Sequence, residues 1–66
     1  MRYVANFEME GNQCHGIVNG VAYTLVDGED LLDADGYPLD VEYQQGAVRA
    51  ELEAVRTALL KRAEGR

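Results

Sequence analysis

Two dipeptides, Gly11-Asn12 and Asn19-Gly20, limit the folds open to this chain more than any other feature. Each is a two-residue hairpin turn, and Asn-Gly between alternating apolar residues is the strongest short-range hairpin signal. Ahead of the first turn, Tyr3, Ala5, Phe7 and Met9 alternate with Asn6, Glu8 and Glu10, the period of a half-buried strand. Three antiparallel strands are therefore predicted near residues 3–10, 13–18 and 21–26. Loops this short also set which residues face each other. With Glu10 opposite Gln13 and Val18 opposite Val21, Met9, Cys14 and Leu25 share one row of one face. Phe7, Gly16 and Tyr23 form the next row, where Gly16 leaves room between two aromatic rings. The opposite face receives Glu8, His15 and Thr24, then Asn6, Ile17 and Ala22. One side is apolar and the other mostly polar, so both turns agree with a single sheet.

The second half of the chain changes period. Asp27-Gly28 closes the three-stranded unit, and residues 31–37 read as a turn with short extended flanks. Tyr37, Leu39, Val41 and Tyr43 alternate with Pro38, Asp40 and Glu42, which predicts a fourth strand over 37–43, at an edge because Pro38 lacks an N–H for a ladder. A long helix starting at Pro38 is the competing reading, since proline suits a first helical turn. Beyond it, Val48, Leu52, Val55 and Leu59 recur at helical spacing. Alanines at 47, 50, 54, 58 and 63 add propensity, and Lys61 and Arg62 complement the negative end of the dipole. A helix over 47–63 follows, with Arg49, Glu53 and Arg56 spaced to pair along its exposed side. The expected fold is α+β: one domain over residues 1–66, an antiparallel meander of three to four strands with one C-terminal helix packed on one face.

Size makes that core thin, because a chain of about 60 residues buries only about 60% of its unfolded surface. A lone cysteine, Cys14, forbids an internal disulfide, so self-association as a homodimer is one way to enlarge the core. The start Met-Arg-Tyr-Val has no apolar core of a signal peptide, and no apolar run approaches the roughly 20 residues of a spanning helix. The expectation is a cytoplasmic protein with no membrane contact. A formal net charge of −6 argues against nucleic acid or anionic lipid as a direct ligand, since both are held by cationic side chains.

Catalytic and metal-binding patterns are weak. Cys14 and His15 are neighbours on a strand and point to opposite faces, so they do not meet on one metal or act as nucleophile and base, and no other Cys or His is present. Cys14 reads as a small core residue, and His15 as an outward side chain beside Glu8. Asp33-Ala34-Asp35-Gly36 has part of a calcium-loop pattern, with Gly36 at the sixth position and Glu42 at the twelfth. The first position is then Leu31, which cannot ligate, and an Asp-Gly turn with solvated carboxylates explains the same residues; an irregular site on Asp30, Asp33 and Asp35 is the alternative. A carboxylate pair acting as acid and base needs a pocket that this core leaves little room for. Neither an enzyme nor a cofactor is expected.

Charge is what remains. Between Arg2 and Arg49 the chain carries nine carboxylates, Glu8, Glu10, Asp27, Glu29, Asp30, Asp33, Asp35, Asp40 and Glu42, and no Lys or Arg. Several recur two apart, and on a strand such residues share a face at roughly 6.6 to 6.8 Å, comparable to the phosphate spacing of a nucleic-acid strand. Glu8, Glu10, Asp40 and Glu42 are expected on the face opposite the helix, with the loop acids at its rim. One reading is a solvated face that keeps a small protein soluble. The other is a surface that imitates nucleic acid and occupies a basic groove.

On these nine residues and the plan of the whole chain, the protein resembles small acidic phage-encoded DNA mimics, among them anti-CRISPR proteins that block target-DNA binding by a CRISPR effector. The resemblance implies a non-enzymatic inhibitor in the host-cell cytoplasm whose partner is a basic, nucleic-acid-binding protein. The alternative is a small structural or assembly module that binds protein through Tyr37, Tyr43 and the outer helix surface, as a homodimer in one form.

Overall fold

A computed structural model describes residues 2–65. Three strands form where the turns require them: β1 (Val4–Glu10), β2 (Gln13–Val18) and β3 (Val21–Val26). Gly11 takes a positive φ in the first turn, and Asn19 and Gly20 both do in the second, the pattern of a primed turn whose twist suits a hairpin. A short β4 (Asp30–Leu32) joins β3, giving an antiparallel meander in the order β1-β2-β3-β4. The chain then makes a single 3-10 turn at Val41–Tyr43 and enters α1 (Gly46–Glu64). The architecture is α+β, with α1 laid across one face of the sheet.

The β2–β3 register agrees with the sequence at all six pairs, Gln13↔Val26 to Val18↔Val21. On β1 the agreement holds for Glu10↔Gln13, Met9↔Cys14 and Glu8↔His15 and then slips, because Ala5, not Asn6, faces Ile17. A bulge at Asn6 and Phe7 causes the slip. Asn6 adopts a left-handed φ of 53°, a conformation asparagine tolerates better than most residues. The extra residue reverses the alternation below it, so Val4 turns inward at 7% exposure while Tyr3, expected inside, is 83% exposed. The space above Gly16 is consequently taken by Val4 and Leu59, which a Cβ at that glycine would strike, and not by a pair of aromatic rings.

The predicted strand over 37–43 does not form, nor does a long helix from Pro38. Pro38 makes only an isolated bridge to Leu32. The fourth strand is Asp30–Leu32, which places Leu31 opposite Leu25 in the core. After the turn at 33–36 the chain returns beside β4, with Leu39 N–H donating to the Leu31 carbonyl at 2.9 Å. Asp40 then takes a left-handed φ of 50° and ends the alternation. Val41 is thereby buried and Leu39 half-buried against the core, while Tyr37 and Tyr43 stay exposed. The local pattern was strand-like, but the buried positions on offer favoured Leu31 and Val41 over a row of four.

The helix matches its predicted span to within one residue at each end. Leu52, Val55, Ala58 and Leu59 pack on Val4, Cys14, Val18, Leu25, Leu31 and Val41. Val48, assigned to the same stripe, is 57% exposed, in line with residues 46–50 all being uncovered. The core contains no buried polar or charged side chain among the described residues.

Candidate functional site

The sheet's second face is left open by α1, and part of the acidic set lies there. Glu8 and Glu10 project from β1 on this outer face, across from His15 and Gln13. Asp30 opens β4 opposite Val26 and is exposed. Asp27 and Glu29 occupy the β3–β4 turn. This turn is held beside the β1–β2 turn, because Asp27 N–H donates to the Asn12 carbonyl at 2.8 Å and Asn12 Nδ2 donates to Asp27 Oδ1 at 3.1 Å. Glu8, Glu10, Asp27, Glu29 and Asp30 thus gather at one end of the sheet.

The other four predicted site residues lie elsewhere. Asp33 closes its own turn: one oxygen, Oδ1, accepts from the N–H groups of Asp35 and Tyr37, each at 2.9 Å. Asp35 is exposed in the same turn. Asp40 and Glu42, expected beside Glu8 and Glu10, are not on that face, since no strand carries them there. Asp40 starts the 3-10 turn, and Glu42 accepts a hydrogen bond from Arg56 Nη1 of α1 at 3.0 Å. That guanidinium holds the Glu42 carboxyl below the usual glutamate range. Arg56 also donates to the Glu29 carbonyl at 3.3 Å. It therefore clamps the two acidic segments to the helix, in place of the pairing with Glu53 expected from sequence. No sequence signal announces that clamp, because its partners stand 14 and 27 residues away.

Arginines are tied down on the helix side of the sheet. Arg2 pairs with Glu51 at 2.6 Å, Arg49 with Glu53 at 3.3 Å, and the Arg62 guanidinium lies 5.6 Å from the Phe7 ring centroid. On the outer face His15 is the only side chain among the described residues able to carry positive charge. Its Nδ1 lies 2.8 Å from Thr24 Oγ1, and its Nε2 lies 3.5 Å from Glu10 Oε1. Glu8 is its ladder partner, yet the contact at ion-pair distance comes from the diagonal neighbour Glu10.

Cys14 lies on the other face, buried in the core, where burial pushes its thiol pKa up. Among the described residues no three His, Cys, Asp or Glu side chains come close enough together to hold a metal ion. No helix among them is long and apolar enough to cross a membrane.

No family model matches this sequence, and no curated protein or solved structure does either. Function is therefore read from the side chains themselves. The acidic end offers carboxylate oxygens to solvent, and such oxygens take charge-assisted hydrogen bonds from Arg and Lys. Neighbouring acids on one strand stand closer than the Debye length of about 8 Å at physiological salt, so a partner meets their summed field.

Proposed function

We propose that this chain is a non-enzymatic acidic binding protein that occupies a basic, nucleic-acid-binding surface of another protein, in the manner of the phage-encoded DNA mimics it resembles. The observation that carries this reading is the segregation of charge. Glu8, Glu10 and Asp30 stand at one end of the open sheet face with Asp27 and Glu29 in the adjoining turn, while Arg49, Arg56, Lys61 and Arg62 all belong to α1. Like charges held this close repel one another, and a solvated face requires acids only scattered among bases. A basic groove relieves the repulsion and gains charge-assisted hydrogen bonds.

The test is displacement of target DNA from CRISPR effector complexes by the purified protein. Inhibition is expected to weaken steeply as salt rises from about 0.05 to 0.2 M, and to disappear in the triple variant E8K/E10K/D30K. Displacement that survives both changes sinks the proposal.

A second reading rests on Tyr37 and Tyr43, which are 69% and 85% exposed. Aromatic side chains so placed suit a protein interface, including one between two copies. A homodimer held by them strengthens with salt and dissociates in Tyr37→Ser/Tyr43→Ser, as read by sedimentation velocity.

A further inference from the structure

The outer sheet face is not flat. A hollow of about 210 Å³ opens in it, lined by Asn6, His15, Ile17, Ala22, Thr24 and Ala34 among others. Its origin is local. The bulge on β1 places Asn6 at one side, the turn after β4 brings Ala34 to the other, and the small side chain of Ala22, opposite Ile17, leaves the middle open. Three acidic residues neighbour its lining in the ladder or along the chain. Glu8 is the ladder partner of His15, and Asp33 and Asp35 are the chain neighbours of Ala34.

We propose that this hollow receives one arginine side chain of a basic partner and is the anchoring point of the acidic face, an inference that rests on the acidic-binding reading above. Size argues for a single side chain, since the hollow falls below the roughly 300–1,000 Å³ of small-molecule sites. Charge argues for a cation, because Glu8 stands across the ladder from the lining residue His15 and repels an anion. The lining argues for arginine over lysine. Ile17 and Ala22 give apolar surface to the methylene stem, while Asn6 and Thr24 in the lining carry side-chain oxygens that can accept from a planar fork of N–H donors. An ammonium is more strongly hydrated and offers a single point of charge. The imidazole is already oriented by its 2.8 Å contact with Thr24, so a guanidinium stacking on it orders little else.

Tri-arginine and tri-lysine peptides, equal in charge, separate the hollow from the surrounding field. At low salt the protein is expected to bind tri-arginine about fivefold more tightly than tri-lysine, with the largest amide shift changes at Asn6, His15, Ala22, Thr24 and Ala34. Ala22→Phe plugs the hollow and leaves every acid in place. In that variant the two peptides are expected to bind equally, at the affinity of tri-lysine for the unmodified protein. Ala34→Phe, on the opposite side and equally exposed, is the second plug and stands in if the first unfolds. Equal affinities in the unmodified protein, or an arginine preference that persists in a folded plugged variant, overturns the hollow and leaves the acidic face standing. Failure of both peptides to bind overturns both readings.

Discussion

Replacing Gly16 with alanine tests the packing of β1 against α1 where Val4 and Leu59 meet over β2. A Cβ there would collide with Val4 Cγ1 and stand 3.0 Å from Leu59 Cδ2, with the Ala5 carbonyl oxygen at 3.7 Å. Val4 and Leu59 are both buried, so neither side chain can swing into solvent, and the strand or the helix must shift. Overpacking of this kind costs about 1–3 kcal/mol. Against it stands the entropy that glycine loses on folding, about 0.5–1 kcal/mol in favour of alanine. The net expectation is a loss of about 1–2 kcal/mol, equivalent to a fall in Tm of roughly 5–15 °C for a domain this small. Urea unfolding followed by far-ultraviolet circular dichroism reads the difference.

A double-mutant cycle isolates the cause. Val4→Ala removes the colliding Cγ1, so Gly16→Ala added to it is expected to be neutral or stabilising. In a Phe7→Ala background the same change keeps its full cost, because Phe7 does not fill that space. A cost unchanged by Val4→Ala, or relieved by Phe7→Ala, refutes the bulged register and restores the unbulged one.

Three further outcomes follow from particular contacts. Asp33→Ala removes the acceptor of two backbone N–H groups and is expected to cost about 1–2 kcal/mol, whereas Asp35→Ala stays within about 0.5 kcal/mol; equal effects in thermal melts contradict the turn geometry. Cys14 is expected to resist aromatic disulfide reagents in native buffer and to react fully in urea, since it is buried and its thiol pKa is raised; immediate stoichiometric labelling of the native protein argues against its place in the core. Glu42 has a folded-state pKa below its unfolded one, so its stabilising share is present above the ordinary glutamate range and is lost as pH falls through the folded value. Glu42→Gln should therefore be less stable than the parent protein at pH 7 and equal to it in strong acid, and a gap that widens on acidification reverses the assignment.

Local chemistry carried the first half of this protein. Gly11-Asn12 and Asn19-Gly20 carry turn chemistry of their own, and a two-residue loop sets the register of the strand residues next to it. The amphipathic repeat of Leu52, Val55 and Leu59 likewise declared both the helix and its buried side. Glu8 and Glu10 were legible as exposed acids for the same reason, whereas Asp30, expected as a loop acid at the rim, opens β4.

Tertiary structure decided what local pattern left degenerate. Tyr3-Val4-Ala5 can present either parity to the core, and the choice fell to Val4 because the space above Gly16 fits a branched aliphatic side chain beside Leu59. The alternation at 37–43 satisfied a strand, yet β3's free edge was already taken by Asp30–Leu32. Asp40 and Glu42 therefore left the acidic face, and Arg56 drew Glu42 to the helix. Turn and helix signals act over a few residues and so stand in the sequence, whereas competition for buried positions and ion pairs across many residues depends on which surfaces the folded chain brings together.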